Sequence, residues 1–200
     1  MLLRTASALL VAACAWRAVT IGQRTRRVVR RIGVAALGGL VVWGLLGLVF
    51  FVSPAVDAMP EHADVLLVLG PPLPQRVAVA ERLLTDGTVG AALVSVPYDS
   101  IPPEIAALCA RPDVICADPD PRTTRGEARM LRRYAVERGW TSAVVTTMPA
   151  HIARARSIVR RCFSGTLSMV SDTEGPSGGW PYQYAYQTAA TVKSWLLPGC

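Results

Sequence analysis

Residues 142–161, SAVVTTMPAHIARARSIVRR, decide the predicted fold of this chain. The small and β-branched residues at 142–146 predict a parallel strand that is buried on both faces. A helix is expected to begin near Pro149, because a first helical residue needs no N–H. Apolar side chains then recur at helical spacing, at Ile152, Ala155, Ile158, Val159 and Cys162. A strand followed by a helix in this way is the repeating unit of a parallel α/β sheet.

The same alternation runs through the chain from residue 63 onward. Strands are predicted at 63–69, 91–96, 114–116, 142–146 and 166–170. Helices are predicted at 74–86, 102–110, 125–138, from Pro149, and at 182–197 after Pro181. We therefore expect an α/β fold with an open, mostly parallel five-stranded sheet and helices on both faces.

Charge is distributed unevenly along the chain. The net charge is +7, but seven arginines and no acidic residue precede Asp57, and basic and acidic residues balance from there on. A neutral folded domain is a poor partner for a phosphate backbone. The sequence therefore excludes nucleic acid as the expected partner.

The basic arm precedes a membrane-span pattern. Residues 32–52, IGVAALGGLVVWGLLGLVFFV, contain no charge and are long enough to cross a bilayer. Five arginines lie just before this segment and none follows it closely. By the positive-inside bias we expect a cytoplasmic basic arm at 1–31, a transmembrane helix at 32–52, a stalk at 53–62 and an extracytoplasmic domain at 63–200.

Residues 1–20 leave two interpretations open. Residues 5–16 are apolar but too short to span a membrane, which indicates an interfacial segment or a start codon placed too early. The alternative is a lipid on Cys14, because residues 11–14 resemble a bacterial lipoprotein cleavage site. That alternative conflicts with the charge bias, since it places the arginine cluster outside.

Four cysteines follow the span, and none forms a CxxC pair. With only two histidines in the chain, no metal site is expected. In an oxidising compartment the four cysteines indicate two disulfides. We favour Cys109–Cys116 and Cys162–Cys200, and the alternative is that buried thiols pack as apolar residues.

Polar side chains are predicted to meet at the carboxyl ends of the strands, where ligands bind in open α/β sheets. Thr147, His151 and Arg154 follow the fourth strand, and Asp99 follows the second. The N-terminus of a helix disfavours a charged imidazole, so His151 is a candidate acid or base, and the alternative is that it only caps the turn. Arg154, three residues on, shares a face with His151, and its guanidinium makes the pair a candidate binder of a phosphate or carboxylate; the alternative is a solvated arginine.

The spacing T-x-x-E at Thr124 and Glu127 has two interpretations. The first is a capping box, in which the Thr124 oxygen bonds the Glu127 N–H and the Glu127 carboxylate reaches back to the Thr124 N–H. The second makes Thr124, or Thr123, a contact to the ligand and Glu127 a general base.

The chain also resembles the YdcF/SanA/ElyC-like family of bacteria over residues 63–170. The resemblance is carried by the strand ADVLLVLG, Arg76 and Ala80, Thr124–Glu127, and Thr147 with HIARA at 151–155. It implies a Rossmann-like fold and a membrane-anchored role in envelope integrity and in peptidoglycan or lipid-carrier metabolism. Its shared polar positions correspond to Arg76, Thr124, Glu127, Thr147, His151 and Arg154.

Two glycine-rich loops of that family are replaced here by Gly70-Pro71-Pro72 and Ser95-Val96-Pro97. Proline offers no N–H for a phosphate cradle, so no cofactor is expected. We expect a single-pass plasma-membrane protein that binds an anionic, phosphorylated or carboxylated envelope intermediate, with other envelope proteins as further partners. The alternatives are a non-catalytic scaffold of the same fold and a cytoplasm-facing binder of S-adenosylmethionine.

Overall fold

The computed structural model of the chain describes residues 3–172 and 178–200, with side chains described from residue 22 onward. The chain divides into two compact units, Met1–Leu46 and Gly47–Cys200. The first is helical and the second is an α/β domain. The proposed lipid site falls on the Cys14 side chain, which lies outside the described residues.

One long helix, α1, runs over Leu3–Gly47 and is followed by a π-helical turn at Leu48–Val52. The stretch Gly22–Val52 is long and apolar enough to cross a membrane, with a mean hydropathy of 2.4 in its most apolar window. Nearly all of its side chains are exposed, as expected of a helix that contacts lipid rather than a protein core. The predicted span at 32–52 lies within this candidate span.

The domain contains a five-stranded sheet whose neighbours are all parallel. In chain order the strands are β1 Ala63–Val68, β2 Val89–Ser95, β3 Val114–Ala117, β4 Ser142–Thr147 and β5 Thr166–Ser171. Their order across the sheet is β3-β2-β1-β4-β5. This confirms the predicted fold, an open Rossmann-like sheet, and each strand lies within two residues of its predicted bounds.

The helices of the domain also follow the prediction. They are α2 Pro74–Thr85, α3 Pro103–Cys109, α4 Thr124–Arg138, α5 Ile152–Cys162 and α6 Gly179–Leu196. A 3₁₀ turn at Pro149–His151 precedes α5, so the predicted helix at Pro149 begins with a tighter turn. The largest difference is at α6, which begins three residues before the predicted start and has Pro181 in its first turn.

Alternate residues of the central strands face two separate apolar layers. Val65 and Leu67 of β1 pack in one layer with Leu131 of α4 and Ile152 of α5. Leu66 and its neighbour Val68 pack in the other layer, with residues from α2 and α3 such as Ala80, Leu83, Ile105 and Leu108. The helices therefore cover both faces of the sheet, and the predicted stripe of α5 is buried at all five positions.

Residues 53–62, predicted as a stalk, are fastened to the domain through Asp57. The Asp57 N–H donates to the carbonyl oxygen of Met169 at 2.9 Å, and its carboxylate accepts from the Met169 N–H at 2.7 Å. The Arg156 guanidinium reaches the same carboxylate at 2.5 Å. The segment is therefore tied to β5 and α5.

Both predicted disulfides are present. Cys109–Cys116 joins the end of α3 to β3, with Cα atoms 5.6 Å apart. Cys162–Cys200 joins the end of α5 to residue 200, with Cα atoms 5.0 Å apart. The bonded pairs exclude the alternative of buried free thiols at these four positions.

Candidate functional site

The candidate site lies at the carboxyl ends of β1 and β4, the adjacent strands at the centre of the sheet. The chain leaves β1 toward β2 on one side, whereas β4 is added on the other side of β1. Such a reversal of strand order is where ligands bind in open α/β sheets. Gly70 follows β1 at this edge, and Thr147 ends β4.

His151 occupies the middle of the site, held by two threonine hydroxyls. Its Nδ1 lies 3.1 Å from the Thr147 Oγ1, and its Nε2 lies 3.3 Å from the Thr124 Oγ1. Burial, reinforced by the charges of Arg154 and Arg76, holds the pKa of His151 well below its usual range. The imidazole is therefore neutral at physiological pH, with one nitrogen as donor and the other as acceptor.

The cap of α4 differs from the predicted capping box. Thr123, not Thr124, occupies the N-cap position, and its hydroxyl accepts from the Gly126 N–H at 3.3 Å. Gly126 is required there, because an added Cβ would overlap the carbonyl oxygen of Pro121. With the cap formed one residue earlier, the Thr124 hydroxyl faces His151 and the Glu127 carboxylate has another partner. The capping-box prediction was wrong.

Glu127 joins the first turn of α4 to the end of β1. Its Oε1 accepts from the Gly70 N–H at 2.7 Å, and the side chain is almost fully buried. Burial raises the pKa of Glu127, while the Gly70 N–H, the nearby Ser95 hydroxyl and the charge of Arg76 oppose part of the rise. A carboxyl group with a raised pKa can hold or release a proton closer to neutral pH.

Arg154 lies on the first turn of α5, at the edge of the site. Its Nε donates to the Gln187 Oε1 at 3.0 Å, and its guanidinium carbon lies 5.9 Å from the centre of the Tyr186 ring. Among residues 22–172 and 178–200, no carboxylate lies within ion-pair distance of it. Burial lowers the pKa of Arg154, which Tyr186 and Glu127 partly oppose.

Arg76 is a neutralised cation next to the same site. Its Nε donates to the Asp172 Oδ2 at 2.6 Å, and both side chains are almost completely buried. Another of its nitrogens donates to the carbonyl oxygens of Leu69 and Pro71, each at 3.0 Å. Arg76, predicted as a ligand contact, therefore also fixes the loop that follows β1.

Asp99 is placed apart from these residues. Its carboxylate is 94% exposed and pairs with Arg122 at 2.6 Å. Arg122 also pairs with Asp118 at 2.8 Å, so the three side chains form an exposed ion-pair cluster on the loops after β2 and β3. The structure thus brings together Thr124, Glu127, Thr147, His151 and Arg154, with Arg76 beside them, and leaves Asp99 in this separate cluster.

Three residues of the site were not predicted. Asp172 follows β5 directly, so the rule that polar residues gather at strand ends would have identified it. Gln183 and Gln187 are buried on α6, where the Gln187 amide donates to the Gln183 Oε1 at 3.0 Å. No sequence signal reveals them, because a glutamine on an outer helix is expected to face water.

The side of the site that faces the sheet is shielded from solvent. His151, Glu127 and Thr147 are buried, and Thr124 and Arg154 are half-buried at its edge. Two surface clefts lie elsewhere, one along the outer side of α4 and one at the amino end of the sheet. Within the described part of the chain, no three His, Cys, Asp or Glu side chains are grouped to hold a metal ion.

The chain has no match among protein-family models, curated proteins or solved structures.

Proposed function

We propose that this chain is a single-pass membrane protein of the bacterial cell envelope whose extracytoplasmic domain binds an anionic envelope intermediate. The group bound is a phosphate or carboxylate, held at Arg154 beside His151 and Glu127. The observation that carries the proposal is that Arg154 is partly buried without a carboxylate partner among the described residues.

The charges around the site favour an anion. Arg76 is neutralised by Asp172, so the pair leaves no net charge. Among the described residues, Arg154 is within hydrogen-bond distance of the Gln187 amide oxygen and near the Tyr186 ring, and the charge of Glu127 acts on it without forming an ion pair. An unpaired, desolvated cation is costly, and a bound phosphate or carboxylate would supply the missing countercharge.

The same arrangement provides groups for proton transfer. His151 is neutral and oriented by two hydroxyls, and Glu127 has a raised pKa. If the domain is catalytic, one of them acts as acid or base on a group that Arg154 holds. Both ring nitrogens of His151 lie against threonine hydroxyls, so His151 can act on a ligand only if one hydroxyl releases it, whereas Glu127 has a second carboxylate oxygen.

The backbone of the first loop argues against the S-adenosylmethionine alternative. A cofactor cradle needs free N–H groups after β1. Here Gly70 donates to Glu127, Pro71 and Pro72 have no N–H, and Leu73 donates to the Pro71 carbonyl. No backbone donor remains free in this loop.

Two features support the extracytoplasmic placement. Five arginines precede the apolar stretch at 32–52, and by the positive-inside bias they favour a cytoplasmic amino-terminal side. The two disulfides are typical of an oxidising compartment. The resemblance to membrane-anchored YdcF-like proteins agrees with this placement.

Thermal unfolding of the detergent-solubilised full chain tests the anion site, with inorganic pyrophosphate and farnesyl phosphate as probes. A ligand at about a hundred times its Kd stabilises the folded protein by about 2.7 kcal/mol. We expect a higher Tm with either probe for the wild type and for Arg160→Gln, which removes an exposed arginine of the same helix. Arg154→Gln should lose the shift, and an equal shift in Arg154→Gln would overturn the proposal.

A non-catalytic scaffold is the second candidate, favoured by the closed site and the proline-rich loops. In cells, a scaffold tolerates the double variant His151→Gln/Arg154→Gln, because neither side chain lies on the exposed surface that partners contact. A binding site at this corner predicts that the same variant causes an envelope defect at normal protein levels. Immunoblotting and growth under envelope stress separate the two.

A further inference from the structure

Helix α6 has its polar residues inside and its apolar residues outside. Gln183, Gln187 and Ser194 are buried, whereas the exposed side chains include Tyr182, Tyr186, Val192, Trp195 and Leu196. Trp195 is 65% exposed and Leu196 is 75% exposed. Lys193 is the one charged residue in the helix. In water, a surface helix has the opposite arrangement.

The inward side of α6 is explained by its hydrogen bonds with arginines of α5. Gln187 accepts from Arg154 and donates to Gln183, and the Ser194 carbonyl accepts from Arg161 at 2.8 Å. The outward side has no such explanation in the domain. By contrast, the outer side of α4 carries exposed charges at Arg129, Arg132, Arg133 and Glu137. Contiguous apolar surface of this kind marks an interaction site.

The neighbour of α6 indicates what covers this face. The π-helical turn Leu48–Val52, which ends the candidate span, packs against α5 and α6. Phe51 meets Tyr184 of α6 edge to face, with ring centres 5.4 Å apart. Leu48, Val49 and Phe50 of the same turn are themselves about half exposed. Lipid that covers this turn is therefore next to α6.

We propose that the outward face of α6 lies in the bilayer surface, at the boundary between headgroups and acyl chains. Trp and Tyr are enriched at that depth, and a lone Lys193 can extend to the headgroups. Apolar side chains that face lipid no longer cost free energy by contact with water. The inference rests on the membrane anchoring proposed above, but it adds a second, lateral contact between the domain and the membrane.

Tryptophan quenching in the full chain tests this contact. The chain is reconstituted into vesicles of equal parts phosphatidylcholine and phosphatidylglycerol, with plain acyl chains, with chains brominated near the headgroup, or with chains brominated near the bilayer centre, where Trp43 is expected. The fluorescence of the wild type is compared with that of Trp195→Phe, and the difference is the component of the emission that comes from Trp195. Trp140→Phe is the matched control, because Trp140 packs against the core at the amino end of β4. Trp43→Phe reports on the span itself.

We expect lipid brominated near the headgroup to quench most of the fluorescence of Trp195. The fluorescence of Trp140 should not change. A Trp195 component that survives while the Trp43 component is quenched would overturn the α6 contact and leave the anchor intact. Chemical cross-linking would then identify a second copy or another protein as the occupant. Survival of both components would overturn the anchoring and, with it, this inference.

Discussion

The Oε1 atom of Glu127 lies 2.7 Å from the backbone nitrogen of Gly70 and accepts its N–H. This contact joins the first turn of α4 to the end of β1, two segments that the chain separates by 57 residues. It also explains why Glu127 is not a capping residue, because its carboxylate satisfies a part-buried backbone donor just after β1 instead.

Substitutions at Glu127 separate its structural contact from its charge. Glu127→Gln keeps an oxygen for the Gly70 N–H, so we expect its unfolding free energy to remain within about 1 kcal/mol of wild type. Glu127→Ala leaves that N–H unpaired and should cost about 1–3 kcal/mol. Urea denaturation of the full chain in detergent measures both. Equal losses in the two variants would show that the hydrogen bond does not contribute.

The two adjacent threonines at the start of α4 should behave differently. Thr123→Ala removes the N-cap and should lower the unfolding free energy by about 1 kcal/mol. Thr124→Val keeps the cap and the side-chain shape, so its loss should be smaller, and its effect should appear in ligand binding through His151. Denaturation of the two variants side by side is the measurement. If Thr124 were the cap, the order of the losses would be reversed.

The stability of the domain should depend on the protonation of His151. Burial lowers its pKa, so between the folded pKa and the ordinary value of about 6.5 the unfolded chain binds a proton that the folded chain does not. Stability is therefore full above about pH 6.5 and falls on acidification, with a slope of up to about 1.4 kcal/mol per pH unit.

His151→Gln should remove this slope, and His62→Gln should keep it, because His62 is exposed. Glu127 acts in the opposite direction. Its raised pKa makes stability fall as pH rises from the ordinary range of glutamate, about 4.3, toward the folded value. Unfolding free energies measured from about pH 5 to 8 isolate the histidine contribution as the difference between wild type and His151→Gln. An unchanged slope in His151→Gln contradicts the buried neutral imidazole.

The two disulfides should contribute unequally. Cys162–Cys200 closes a separation of 38 residues and Cys109–Cys116 one of 7. From the entropy of loop closure, we expect replacement of the first pair with alanine to lower the free energy of unfolding by about 4 kcal/mol. Replacement of the second pair should lower it by about 2 kcal/mol. Urea denaturation under non-reducing conditions tests the order. Mass mapping without reductant should find the four cysteines in these two pairs.

The fold was predictable because the sequence of each element agrees with its final surroundings. Val144 and Val145 predict a buried strand and lie in one, and the α5 stripe from Ile152 to Cys162 faces the core. The cap at Thr123 was missed because Thr123 and Thr124 offer the same hydroxyl one residue apart. The choice depends on Gly126, which must pass close to the Pro121 carbonyl.

The site was predictable in part, for a related reason. His151, Arg154 and Thr147 follow a central strand, and the sheet topology brings that position to β1. The contact of Arg154 with Gln187 was not predictable, because Gln187 and its partner Gln183 belong to a helix whose buried side is polar. Helix prediction from sequence places polar residues outside and apolar residues inside, and α6 has the reverse arrangement.

Thr124 and His151 are 27 residues apart in the chain, and their side chains meet only after α4 and α5 have docked on the same face of the sheet. A chain that has formed α4 and α5 but has not yet docked them therefore holds no imidazole between two hydroxyls. The proposed anion site therefore exists only in a chain whose helices have docked on the sheet.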